Sequence, residues 1–218
     1  MGDHSENEYK ILLDSPSFYA LMERVEALFP TVPRKDAVQV NYYYDTGEGL
    51  LRSREITLRV RLTEAGLWLQ SKAPCSGPTA YRHSEERCCV LSALPRRLQL
   101  AGFPDCFFEL QGNLTTHRTR FRLPDGLRMD FDVNFYEGRT DYELELEFRP
   151  EARERARLLL RELGVSETTA GAGKATRFFA AREGKPEIGE TADLGFSGRI
   201  EEMNGQGERE RKEASGHG

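Results

Sequence analysis

No run of apolar residues in the 218-residue chain approaches the roughly 18 that a membrane-spanning helix needs, so no such helix is expected. The opening MGDHSENEYK has neither a basic start nor an apolar stretch, which argues against a secretory signal. Glu6 stands where a myristoylation motif has Ser or Thr, and a cytoplasmic location is the expectation. Cysteine is scarce: Cys75, Cys88, Cys89 and Cys106 show no CxxC spacing, so reduced thiols are expected rather than a zinc site. The four histidines form no HExxH set, and neither a Walker A loop nor a GxGxxG is present. No serine or cysteine has an evident histidine partner, so a covalent nucleophile is not indicated. Net charge is −5, which argues against bulk binding to nucleic acid or an anionic membrane. No internal repeat is visible.

Hydrophobic residues make up 38% and charged residues 31%, low in oil yet enough for an ordinary core. Residues 5–13 read as a strand. Residues 15–29 read as a helix, with Ser15 as cap, Pro16 in the first turn and an apolar stripe of Phe18, Leu21, Met22, Val25 and Leu28. AVQVNYYYDT is β-rich, and REITLRVRL and LWLQSKAP alternate strictly. A further strand is expected at 80–91 and a short helix at 92–101. THRTRFRL, LRMDFDVNF and TDYELELEF alternate again, the first two joined by a PDG hairpin turn. A helix at about 150–163 ends at Gly164, and GKATRFFA reads as a short closing segment. The tally is about eight strands and three helices: an α+β domain with an antiparallel sheet, enough strands to close a barrel. The domain is expected to span 1–183, and the Gly-, Glu-, Arg- and Lys-rich 184–218 to form a disordered charged tail.

The polar faces of these strands are sorted by sign. Glu6/Glu8, Asp130/Asp132 and Glu143/Glu145/Glu147 line up acids; Arg59/Arg61, Lys72 and Arg118/Arg120 line up bases. Side chains two apart on a strand share a face about 7 Å apart, where like charges are disfavoured in a confined site. A solvated face with accidental sorting is the plain alternative. The helices, however, need an apolar surface to cover, which leaves the charged face lining a lumen or groove. Carboxylate clusters suit hard cations such as Mg²⁺ or Mn²⁺, and Arg and Lys clusters suit phosphates. A metal–polyphosphate complex wants both. On this reading a metal reconciles Glu6 with Glu8, while Lys10 reaches the phosphate.

ENEYK resembles the ExExK signature of the CYTH superfamily, the triphosphate tunnel metalloenzymes. NYYYDT, ITLRVRL, LWLQSKAP, MDFDVNFYEGRTDYELELEF and GKATRFFA follow in the family's order, so the resemblance covers roughly 5–183 and looks closest to small bacterial members of the bacillus type. It implies a closed tunnel of eight antiparallel strands, with helices packed outside, that binds triphosphates with Mg²⁺ or Mn²⁺. Carried over by position, Glu6, Glu8, Asp130, Asp132, Glu143 and Glu145 would hold metal. Lys10, Arg59, Arg61, Lys72, Arg118 and Lys174 would hold phosphate, with Arg82 and Arg120 as extras; Glu147 continues the phase at the rim. Glu6, Glu8, Lys10 and Lys174 would be the catalytic set. The expected activity is hydrolysis of tripolyphosphate or a small organic triphosphate such as thiamine triphosphate, one metal chelating the substrate and a second activating water for in-line attack. A class IV-type adenylate cyclase and a non-catalytic polyphosphate or nucleotide sensor are the alternatives. The partner expected is a small triphosphate, with neither nucleic acid nor membrane.

Overall fold

The computed structural model describes residues 2–74, 82–100, 102–166 and 172–186, with side chains from Asn7 in the first strand, up to Ala73 in the fourth and from Cys88 in the fifth. Nine strands form one antiparallel sheet: β1 (Gly2–Leu13), β2 (Arg34–Asp45), β3 (Thr57–Thr63), β4 (Gly66–Pro74), β5 (Arg82–Leu91), β6 (Arg97–Leu98), β7 (Phe108–Arg122), β8 (Arg128–Tyr136) and β9 (Arg139–Phe148). Three helices accompany them: α1 (Ser15–Leu28), α2 (Arg153–Glu162) and α3 (Lys174–Arg182). The sheet order is β2-β3-β4-β5-β1-β9-β8-β7-β6. β2, first in that order, also pairs with β7 from Arg34↔Phe121 to Asp45↔Glu109. Each of the eight longer strands therefore has a strand on both edges. None of the described helices is long and apolar enough to cross a membrane.

Strict alternation gives the sheet two unlike faces. On the apolar face, Tyr9, Ile11 and Leu13 of β1, Met129 and Phe131 of β8, and Leu144, Leu146 and Phe148 of β9 form a core. Helix α1 covers it with Phe18, Leu21 and Val25, and α2 with Ala156, Leu159 and Leu160. Of the stripe read for α1, Phe18, Leu21 and Val25 are buried and Met22 packs partly against the core, at 3.6-residue spacing, while Leu28 is exposed. The cap of α1 is Asp14 rather than Ser15: the extended Asp14 accepts a hydrogen bond from Ser17 N–H at 2.7 Å, while Pro16 takes the first turn. Gly164 ends the α2 region at φ +77°, as a left-handed C-terminal glycine should.

Two expectations change. Of the helix expected at 92–101, the described residues 92–100 are not helical. Pro95 removes a helical donor, and Arg97–Leu98 pair with β7 instead. Leu98, Leu100, Phe103 and Cys106 then lie on the apolar faces of β2 and β3, against Tyr44, Leu58, Val60 and Phe108. The closing segment GKATRFFA is the helix α3, and it is not packed outside with the other two. Its Phe178 and Phe179 pack on Tyr43, Leu114 and Tyr136, which are in phase with the polar residues of β2, β7 and β8. The tail residues 187–218 lie outside the described residues.

Candidate functional site

Register places unlike charges side by side on the polar face. Across β7, β8, β9 and β1 runs the row Arg120, Asp130, Glu145, Lys10; beside it runs Arg118, Asp132, Glu143. A solvated face would leave these groups exposed. Instead Asp130, Asp132 and Glu143 are fully buried, and Glu8, Lys10, Arg118, Glu145 and Lys174 are nearly so.

Glu145 is the hub. Its Oε1 accepts from Lys10 Nζ at 2.6 Å and Lys174 Nζ at 2.8 Å, and its Oε2 from Arg118 Nη2 at 2.7 Å. Lys10 also lies 3.3 Å from Glu8 and 3.6 Å from Glu143. Lys174, at the start of α3, reaches Asp132 at 2.8 Å and donates to Glu143. Arg118 grips Asp132 with Nε at 2.7 Å and Nη2 at 2.5 Å, and reaches Asp130 at 2.7 Å. Arg120 holds Asp130 through two 2.7 Å bonds, and Arg128 lies 3.6 Å from the same carboxylate.

Burial would push the ammonium of Lys10 down, but Glu143, Glu145 and Glu8 raise it above the ordinary lysine value. Lys174 is raised against the same burial by Asp132, Glu143 and Glu145. Burial would raise Glu145, yet Lys10, Lys174 and Arg118 hold it well below the usual carboxylate range. Asp132 is lowered against burial by Arg118 and Lys174. These groups stay charged because each is matched.

Two acid groups share Glu145: Asp132, Glu143 and Glu145, and Glu8, Glu145 and Glu147. In each, one oxygen per residue lies within 4.8 Å of the others, a hard-oxygen set that could hold a metal ion. Asp130 is in neither group; its partners are arginines. At the other wall, Arg59 donates to Gln70 at 2.9 Å and Arg61 to Asn41 at 3.0 Å, and Lys72 lies 3.5 Å from Glu8. The side chains of Glu6 and Arg82 lie outside the described residues.

The sequence reading missed Arg177. It sits one turn after Lys174 on α3, and its guanidinium donates to Asp141 at 2.8 and 3.1 Å and lies 2.6 Å from Glu143. Burial is overcome by Glu143 and Asp141, which raise it above the ordinary arginine value. Asp141 is in phase with Glu143 and Glu145, a period-two signal present in the sequence; Arg177 becomes legible only when 174–182 is read as a helix.

The CYTH domain family model matches residues 4–173. The chain belongs to the CYTH family. No curated protein matches it. Among solved structures it is similar to HpAC1 of Hippeastrum, described as an adenylyl cyclase candidate with a dominant triphosphatase activity, at 26% identity and TM-score 0.63, over 83% of this chain and 97% of that one. A candidate adenylate cyclase from Bacillus halodurans aligns at 22% identity and TM-score 0.63, over 82% and 100%. PH1012 of Pyrococcus horikoshii aligns at 16% identity and TM-score 0.51, over 74% and 92%. The latter two share the fold. In CYTH terms, the buried acids and bases described above occupy one face of the family's sheet.

Proposed function

We propose that this CYTH protein is a divalent-metal-dependent hydrolase of triphosphates, acting inside a closed eight-stranded tunnel. Closure is supported by the β2–β7 pairing, which gives every long strand two neighbours. The observation that carries the function is the pair of buried carboxylate groups sharing Glu145, set among buried cations. The donors are all carboxylate oxygens, which fit Mg²⁺ or Mn²⁺ rather than a soft metal. When bound, such an ion supplies charge neutralisation and Lewis acidity. Glu6, Glu8, Asp132, Glu143 and Glu145 would hold it, with Glu147 beside them and Asp130 serving chiefly to fix Arg118 and Arg120.

The basic side chains bind and orient the anion. Arg59, Arg61 and Lys72 line one wall, where Arg82 would join them, and Lys10, Arg118, Arg120 and Lys174 the other. They offset the charge that grows on the phosphoryl oxygens as the terminal bond breaks. The ammonium of Lys174 already sits against Asp132, Glu143 and Glu145, and that of Lys10 against Glu8, Glu143 and Glu145, so cationic side chains offset the acids before a metal enters. Residues 1–183 form the catalytic unit on this reading, and a small cytoplasmic triphosphate is its partner.

Phosphate and cyclic AMP are measured after incubation with tripolyphosphate, thiamine triphosphate, ATP or pyrophosphate, each with Mg²⁺ or Mn²⁺. Metal-dependent phosphate release from a triphosphate, lost in Glu8→Gln, is expected. Cyclic AMP as the main product would make it a cyclase; tight binding without turnover would make it a sensor.

A further inference from the structure

Three neutral polar side chains on β2 stand out. Gln39, Asn41 and Tyr43 are 8%, 0% and 0% exposed. Gln39 Nε2, Asn41 Nδ2 and Tyr43 Oη have no hydrogen-bond partner among the described residues. A buried donor without an acceptor is costly, so three on one strand call for an explanation. They are two residues apart and therefore share a face. That face is the charged one: Asn41 pairs with Arg61 and Tyr43 with Arg59 on β3.

The neutral groups on the neighbouring strands β7 and β8 behave differently, although Thr116 lies directly opposite Gln39. Thr116 donates to Asn134 at 2.7 Å, Asn134 to Asp141 at 2.8 Å and Tyr136 to Asp141 at 2.6 Å. They satisfy one another, whereas the β2 donors point at none of them. The orientation of Asn41 is fixed by Arg61, whose Nε donates to Asn41 Oδ1 at 3.0 Å, so the amide nitrogen must turn away. The phenol of Tyr43 lies within electrostatic reach of Arg59, Lys174, Arg61 and Arg177. Donors among cations suit an anion rich in acceptor oxygens.

The strip has a direction and a length. Phe178 and Phe179 of α3 pack on the Tyr43 ring at 4.9 and 5.9 Å, which closes that end. Along the same phase the chain becomes more exposed, from Asn41 through Gln39 and the half-buried Ala37 to the exposed Lys35. Four residues separate Gln39 from Tyr43, about 13 Å along a strand. That is about the reach of three linked phosphoryl groups with a hydrogen bond of about 2.8 Å at each end.

We propose that Gln39, Asn41 and Tyr43 form a ladder of neutral donors that binds the phosphoryl oxygens and measures the chain: Tyr43 takes the terminal group at the α3 end, and Gln39 takes the third phosphoryl group toward the open end. The proposal rests on the triphosphate reading of the site. It makes β2 a specificity element that distinguishes three phosphoryl groups from two.

The test uses the full chain with Mg²⁺, and calorimetric affinity and thermal melts for tripolyphosphate and pyrophosphate, in wild type, Tyr43→Phe and Gln39→Met. Tyr43→Phe should weaken both anions about tenfold or more, the effect of one hydrogen bond to a charged group. Gln39→Met should weaken tripolyphosphate by a similar factor and leave pyrophosphate unchanged. Without anion, neither variant should melt lower than wild type, because each replaces an unpartnered buried donor. Lower melting without anion and unchanged affinity would overturn the ladder, as would equal effects of Gln39→Met on both anions. If wild type binds neither anion, the triphosphate reading itself fails and the ladder falls with it.

Discussion

Glu145 accepts from three cations, and each of them would be left with fewer partners if its charge were removed. Glu145→Gln should therefore do two things: abolish metal-dependent turnover and destabilise the protein by about 3 kcal/mol, the usual scale for breaking a buried ion pair. Urea midpoints and phosphate release measure the two effects; a stable, active variant would contradict the hub. Arg177 makes a second residue-scale case. Its planar fork meets Asp141 with two nitrogens, a geometry that lysine cannot copy. Arg177→Lys should cost about 2 kcal/mol in a urea melt, and an unshifted midpoint would show the clamp to be idle. The site acids were legible in the sequence because they lie two apart on strands. Arg177 was not, because its partners lie 34 and 36 residues upstream and only the packing of α3 brings them near.

At the scale of elements, α3 shows how one glycine admits a helix to the charged face. Gly112 has φ +153°, beside the register shift at Tyr43/Tyr44 where β2 meets β7. A Cβ there would lie 2.7 Å from Cζ of Phe178. Gly112→Ala should cost about 1–3 kcal/mol, the range for overpacking, and Phe178→Leu in the same chain should return part of it. Additive losses would mean that the two do not touch in solution. The stretch just before β6 is tied down by a different contact, Tyr44 Oη donating to Pro95 O at 2.6 Å. Burial pushes the Tyr44 phenol up to about 12 from the ordinary 10. The folded pKa is raised, so the neutral form contributes stability that is full below about pH 10 and is lost as pH climbs through 12. Melting temperatures of wild type should fall more steeply over that window than those of Tyr44→Phe; parallel curves would count against it. Strands were easy to read here because alternation repeats over five or more residues. The short segments misled: 92–101 has helix-forming residues but a proline at 95, and GKATRFFA is too short for its periodicity to declare a helix.

At the scale of the molecule, the fold puts oil on one face of the sheet, where α1 and α2 cover part of it, and charge on the other, where α3 docks. The sequence shows this as sign-sorted alternation, although it cannot say which two strands meet last. The β2–β7 pairing joins residues some 64 to 87 apart and leaves no local trace. Hydrogen exchange addresses it: if the ring is closed, β2 amides facing β3 and those facing β7 should both be strongly protected. Fast exchange of alternate amides on β2 would mean an open edge.

The most direct test of the central claim is a crystal structure of the full chain with tripolyphosphate and Mn²⁺, read by anomalous scattering. A manganese peak within coordination distance of Glu145 and its neighbouring carboxylates, with the phosphates against Arg59, Arg61 and Lys72, is the predicted result. Manganese and phosphate bound away from this face, with the ion pairs of Glu145 unchanged, would contradict it.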